Sequence, residues 1–122
     1  MGEVAWSKED FGEMYRRLRD YAQEEGRPFD GKPVCHHYAI NIQDSREAAY
    51  QEAKRWMDQY YRTNMPEAYV RGSVALGTPQ DCYKDIMGFV GQGATEVLLR
   101  FPSWDPGRQF QRFVDEVWPL FA

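Results

Sequence analysis

Cys35-His36-His37 is the stretch whose residue types most readily do chemistry, since a thiol beside two imidazoles suits a metal site or a nucleophile with its base. Its spacing argues against both. The three residues lie in the run Val34 to Ile42, rich in β-branched and aromatic side chains and almost continuously apolar, which predicts a strand covered on both faces. Successive strand residues point to opposite faces, so His36 and His37 cannot ligate one ion without a bulge. Cys35 and His37 share a face and offer two ligands, but nothing else in the chain has metal-site spacing, and no third group orients a nucleophile. No catalytic residue and no metal ligand is assigned. The histidines are expected to be hydrogen-bonded polar groups, either in the core or on a ligand-facing side. The chain also lacks a glycine-rich phosphate loop, a paired-carboxylate motif and internal repeats.

The elements that would position these residues can be read from their periodicity. Ser7, followed by Glu9 and Asp10, caps a helix whose Phe11, Met14, Tyr15, Leu18, Tyr21 and Ala22 form one apolar stripe, ended by Gly26, Arg27 and Pro28. The turn-rich Phe29-Asp30-Gly31-Lys32-Pro33 leads into the first strand. Asp44 with Glu47 predicts a capping box for a second helix striped by Ala49, Ala53, Trp56, Met57 and Tyr60. For residues 62–76 the expectation is a short helix capped by Asn64, then a connector through Ser73-Val74-Ala75-Leu76. Thr78 and Pro79 start the next helix, lined by Cys82, Ile86, Phe89 and Val90 and stopped by Gly91 or Gly93. Val97-Leu98-Leu99 predicts a short buried strand, closed by Pro102. Asp105 and Pro106 open a last helix through Phe110, Phe113, Val114, Val117 and Phe121, with regular helix ending near Pro119.

The 122 residues fit a single domain, 1–122, and fall short of the roughly 250 of a complete eight-fold barrel. At 43% hydrophobic and 16% aromatic, the composition supports a packed core. Fifteen Lys and Arg against nineteen Asp and Glu leave a net charge of −4, with no basic runs, which disfavours nucleic acid and acidic membrane surfaces as partners. Met1 to Trp6 has neither a basic nor an apolar leader segment, and no stretch approaches the roughly 18 apolar residues of a membrane span, so a cytoplasmic location is expected. Cys35 and Cys82 are expected to be reduced packing residues. Isolated parallel strands need neighbours, and a homodimer is the expected way to supply them. The other possibility is a monomer whose helices fold over the open side.

The stretch from Ala75-Leu76-Gly77-Thr78-Pro79 through Gly93, Thr95 to Phe101 and Arg-Phe-Pro-Ser-Trp-Asp, together with Asp44-Ser45-Arg46-Glu47-Ala48-Ala49 after the first strand, resembles the C-terminal portion of the luciferase-like monooxygenases. Those are flavin- or deazaflavin-dependent TIM barrels that oxidise or reduce small organic substrates. The resemblance implies an α/β fold, a partial barrel-like unit with two or three mainly parallel strands and about five helices. It also implies that FMN or the deazaflavin coenzyme F420 is the cofactor to consider. In such barrels ligands bind beyond the carboxyl ends of the strands, which here points to Asn41 and Gln43 on the first strand and Arg100, Ser103 and Trp104 on the second; His37, as a ligand-facing polar group, is the further cofactor-binding candidate. Arg100 could meet a phosphate, aided by Ser103 and the amides opening the last helix, although Asp105 competes for those amides; the other reading makes Arg100 an ion-pair partner. Trp104 could stack on a ring or serve packing. Most of the barrel's ligand-binding loops precede anything present here. Two functional classes follow: a relative that binds a flavin or other flat molecule without catalysing alone, and a non-catalytic interaction or scaffold protein.

Overall fold

The computed structural model describes residues 7–28 and 31–122, so Met1 to Trp6 and, within the expected turn, Phe29 and Asp30 lie outside the described residues. Helix α1 (Lys8–Glu24) begins at the expected cap, where Ser7 Oγ accepts from the Asp10 N–H and the Asp10 carboxylate accepts from the Ser7 N–H. Strand β1 (Cys35–Ile42) leads through α2 (Arg46–Tyr61) and α3 (Glu67–Ser73) to β2 (Val74–Gly77). Helix α4 (Pro79–Val90) leads to β3 (Glu96–Arg100), and the chain closes with α5 (Pro106–Arg112), a π-helical turn (Phe113–Val117) and a 3-10 turn (Trp118–Phe121).

Among the described residues this is an α/β fold of three parallel strands and five α-helices, in keeping with the expected class. The strand order is β2-β1-β3. In a closed barrel successive strands are neighbours and the helices ring the outside. Here the first strand lies in the middle of an open sheet and helices cover both faces. On one face Tyr38, Ile40, Ile42 and Ala75 pack with Phe11, Cys82, Ile86, Phe89 and Val117. On the other, Val74 and Leu76 pack with Ala49, Ala53, Met57 and Val70 of α2 and α3, with Ala39 against them.

Several local expectations are corrected. The connector through Val74-Ala75-Leu76 is a strand, buried at all four positions and paired in parallel with Ala39 to Ile42. Ser45, not Asp44, caps α2, by accepting from the Ala48 N–H. Asn64 does not cap α3, whose N-cap is Pro66, and its side-chain oxygen accepts from Lys54 Nζ instead. Strand β1 is covered on both faces only in its carboxyl half; Cys35 and His37 are exposed, so Cys35 is not a packing residue. Strand β3 is covered on one face and leaves Leu98 47% exposed, because α2 ends at Tyr61 over β1 and β2. The α1 stripe is buried only at its start, Leu18 and Tyr21 being exposed. In the last helix the π-helical turn breaks the spacing, so that Val117 is buried while Phe110 and Val114 face outward.

The outer edge of β2 is blocked. Arg46 donates to the Leu76 carbonyl and makes a bidentate pair with Asp85, whose carboxylate also accepts from the Leu76 N–H. These two side chains take the place of a fourth strand. The outer edge of β3 has no such cover among the described residues.

His36 lies on the α4 face, stacked on Phe89 at 3.9 Å between ring centroids and met edge-on by Phe11. Its Nε2 is buried without a hydrogen-bond partner, so it is not the hydrogen-bonded group expected. Burial, with His37 adding like charge, lowers its pKa from 6.5 to about 4. The unfolded chain therefore takes up the proton first as pH falls: stability from this group is complete above about pH 6.5 and declines between there and about 4. Between pH 7 and 4.5 the parent protein is expected to lose roughly 2 kcal/mol more than His36→Phe, a figure reduced for the ring's partial exposure. Thermal melts of both proteins across that range measure the difference, and parallel curves would contradict it.

Candidate functional site

A groove opens on the α2 face of the sheet, where helix cover stops. It comprises two adjoining hollows of about 100 and 190 Å³ that share Ala39, Met57, Tyr61 and Arg100. Parallel pairing sets Ala39 of β1 opposite Arg100 of β3, and His37 opposite Leu98, so the floor is a patch of sheet with side chains at every second position. The last turns of α2 form one wall, contributing Trp56, Met57 and Tyr61, with Trp56 stacked on Tyr60 at 4.7 Å and 12°. Phe101 and Pro102 close one end, and His37, Tyr69 and Ser73 line the other.

Arg100 is the group that gives this groove chemical direction. It is exposed and makes no hydrogen bond or ion pair among the described residues, so the ion-pair reading is not realised. A free guanidinium beside aromatic walls can accept an anionic edge bidentately while a ring lies against the tryptophan or tyrosine. His37 adds an imidazole at the same floor.

Of the other residues expected at the carboxyl ends, Asn41 and Ser103 are used within the fold. Asn41 is fully buried; its Nδ2 donates to the Pro102 carbonyl and its Oδ1 accepts from Gln43. Ser103 Oγ donates to Glu52, and the same carboxylate accepts from Gln43 Nε2 and the Trp104 N–H. Glu52 thus gathers the ends of β1 and β3 onto α2. Sequence reasoning missed it, since a glutamate on a helix normally marks the solvent side. Trp104 is 55% exposed and does not line the groove. The amides opening α5 are not free either: Asp105 accepts from Arg108 N–H, and Asp105 N–H donates to Ser103 Oγ. The structure therefore brings His37 and Arg100 together and sets Asn41, Ser103 and Trp104 apart from them.

Cys35 and His37 share a face as alternation requires, with His36 on the other. No group of three His, Cys, Asp or Glu is placed to hold a metal among the described residues. No helix among them is long and apolar enough to cross a membrane.

No known protein family matches this chain in sequence, and no curated protein does. Solved structures do match. The chain is similar to the coenzyme F420-dependent tetrahydromethanopterin reductase from Methanopyrus kandleri, with a TM-score of 0.71 at 15% identity. The match covers 95% of this chain but 43% of that one, so the chain spans less than half the length of that enzyme. Likeness at this identity shows the fold alone: an α/β unit shaped like part of that reductase.

Proposed function

We propose that this chain is a truncated relative of the luciferase-like oxidoreductases, not catalytic alone, that binds a flat, anion-bearing small molecule in the groove between α2, β1 and β3. The observation that carries this reading is the Arg100 guanidinium, unpaired among the described residues, beside Trp56, Tyr61 and Phe101. The fold supports it through the similar reductase, whose described cofactor is a deazaflavin. The residues fit one ring and one anionic edge of a flavin or deazaflavin. The hollows, at about 100 and 190 Å³, lie below the usual range for a complete ligand pocket, so only part of such a molecule is enclosed. When bound, a flavin or deazaflavin would supply hydride chemistry; this chain's own residues bind and orient. Arg100 holds the anionic edge, Trp56 and Tyr61 stack, and His37 offers a second polar contact.

Substitution of Arg100 by Ala is expected to weaken FMN or deazaflavin binding by ten- to a hundredfold, the loss of a charge-assisted pair, without lowering thermal stability, because the side chain is exposed and unpaired. Titration of parent and variant by ligand fluorescence measures it. Equal affinities would remove the assignment.

A second reading, a non-catalytic scaffold built on self-association, is favoured by the sheet edges. With β2 blocked by Arg46 and Asp85, β3 is the strand left to pair with a second copy, and its Leu98 is 47% exposed. A homodimer through β3 would also enlarge the groove, since Arg100 lies on that strand. Sedimentation at micromolar concentration distinguishes a dimer from a monomer. In the cytoplasm, the expected location, both Cys35 and Cys82 would stay reduced.

A further inference from the structure

Building on self-association, the second reading above, we propose that the outer edge of β3 recognises itself: two copies pair their β3 strands antiparallel about Leu98, and Glu96 of each copy meets Arg100 of the other. The strand carries the pattern such pairing needs. Glu96, Leu98 and Arg100 are exposed and alternate with the half-buried Val97 and Leu99, so the two charges and the leucine between them share one face. Neither Glu96 nor Arg100 forms an ion pair among the described residues, and Leu98 is an apolar side chain left in solvent. Unlike the edge of β2, this edge has no side chain across it among the described residues, and its five residues include no proline to discourage pairing.

The main chain selects the same register as the charges. The Glu96 N–H donates to the Val34 carbonyl, with Cys35 set opposite Glu96 in the parallel ladder, so the backbone groups of Glu96, Leu98 and Arg100 face β1. Those of Val97 and Leu99 therefore face outward. A two-fold axis at Leu98 sets Val97 opposite Leu99 of the second copy, and such a pair exchanges both of its hydrogen bonds. The same axis places Glu96 opposite Arg100 and Leu98 opposite its own copy, at the positions where cross-strand side chains come closest. An axis at Val97 or Leu99 keeps hydrogen bonding but sets Leu98 against Glu96 or Arg100 and leaves the charges unmatched. The joined sheet would run β2-β1-β3 into β3-β1-β2 of the second copy, with Arg46 and Asp85 blocking both ends, so growth stops at a dimer. Arg100 can serve Glu96 and a ligand anion together, as Arg71 pairs with both Glu47 and Glu67.

The test is sedimentation equilibrium of the full chain, with amide exchange at Val97 and Leu99 followed over the same concentrations. A dimer is expected, and protection of those two amides as it forms. Glu96→Arg and Arg100→Glu, both on exposed side chains, are each expected to weaken the dimer about tenfold, because every cross-strand match becomes a contact between like charges. Mixed in equal amounts, the two variants are expected to recover an affinity near the parent's, since each copy then meets the opposite charge at both positions. A chain that stays monomeric into the high micromolar range would overturn self-association and this register together. A dimer that neither charge reversal weakens, or that mixing does not restore, would overturn the register alone. Glu96 lines neither hollow of the aromatic groove, so FMN binding by Glu96→Arg reports on the groove independently of the dimer.

Discussion

Gly77→Ala is expected to destabilise the protein by roughly 3 to 5 kcal/mol, lowering the thermal midpoint by more than about 10 °C. Gly77 carries φ +127°, a conformation that residues with a Cβ rarely adopt. A Cβ there would lie 2.6 Å from Asp81 Oδ2 and 2.9 Å from Arg46 Cγ. Neither neighbour is free to retreat. Asp81 accepts from the Thr78 N–H in the capping box that starts α4, and Arg46 is tied to Asp85 and the Leu76 carbonyl. The Gly77 carbonyl also accepts from the Gln43 N–H, joining the ends of β1 and β2. Backbone strain and steric conflict therefore add at one residue. Urea or thermal unfolding of the variant measures the loss, and a cost below about 1 kcal/mol would contradict this view of the turn.

Gln109→Leu is expected to cost about 2 to 4 kcal/mol. Gln109 is 5% exposed, and its amide pairs with the end of β1 as a neighbouring strand would: Oε1 accepts from the Ile42 N–H at 2.7 Å and Nε2 donates to the Ile42 carbonyl at 3.0 Å. Leucine fills similar volume but leaves the Ile42 N–H without a partner at a residue with no solvent exposure. The carbonyl keeps its bond from Arg112, which limits the loss to one orphaned group and the displaced packing. Gln109→Glu separates the two roles, because a carboxylate can accept from the N–H but cannot donate to the carbonyl. Its deficit should shrink as acid protonates the new side chain. Denaturation of both variants at pH 7 and pH 5 checks this, and a Leu variant as stable as the parent would contradict it.

What could be read from the residues depended on how local the determining interaction was. Ser7, Thr78 and Asp105 act on amides three residues ahead, and all three caps are found where the sequence places them. Strand β2 was not legible, since four residues are too few for a period and its burial depends on α2 and α4 covering its two faces from distant parts of the chain. The failure of burial at Leu98 has the same origin: its hydrophobicity predicts an interior position, and only the reach of α2 leaves it exposed.

The candidate site divides in the same manner. Strand alternation put Cys35 and His37 on one face and His36 on the other, as observed. The unpaired state of Arg100 among the described residues was not legible, because charges flanking a strand are usually paired and only the tertiary arrangement shows that no carboxylate of the described residues reaches it. Glu52 and Gln109 have ordinary helical positions in the sequence; their side chains are drawn inward by the exposed ends of β1 and β3, which must find hydrogen-bond partners when no further strand follows. Asn41 and Ser103 were identified for the end of the sheet on which they lie, and the structure shows them serving that closure.

The central claim is that the groove beside Arg100 takes a flat, anion-bearing ligand. Titration of isotope-labelled protein with FMN and with a deazaflavin tests it most directly, with amide and tryptophan side-chain resonances followed together. Saturable shifts confined to His37, Ala39, Trp56, Met57, Arg100 and Phe101, and lost in Arg100→Ala, are the predicted result. No saturable change by a folded protein, or shifts that fall elsewhere and survive the substitution, would contradict the claim and leave the barrel likeness as an account of shape alone.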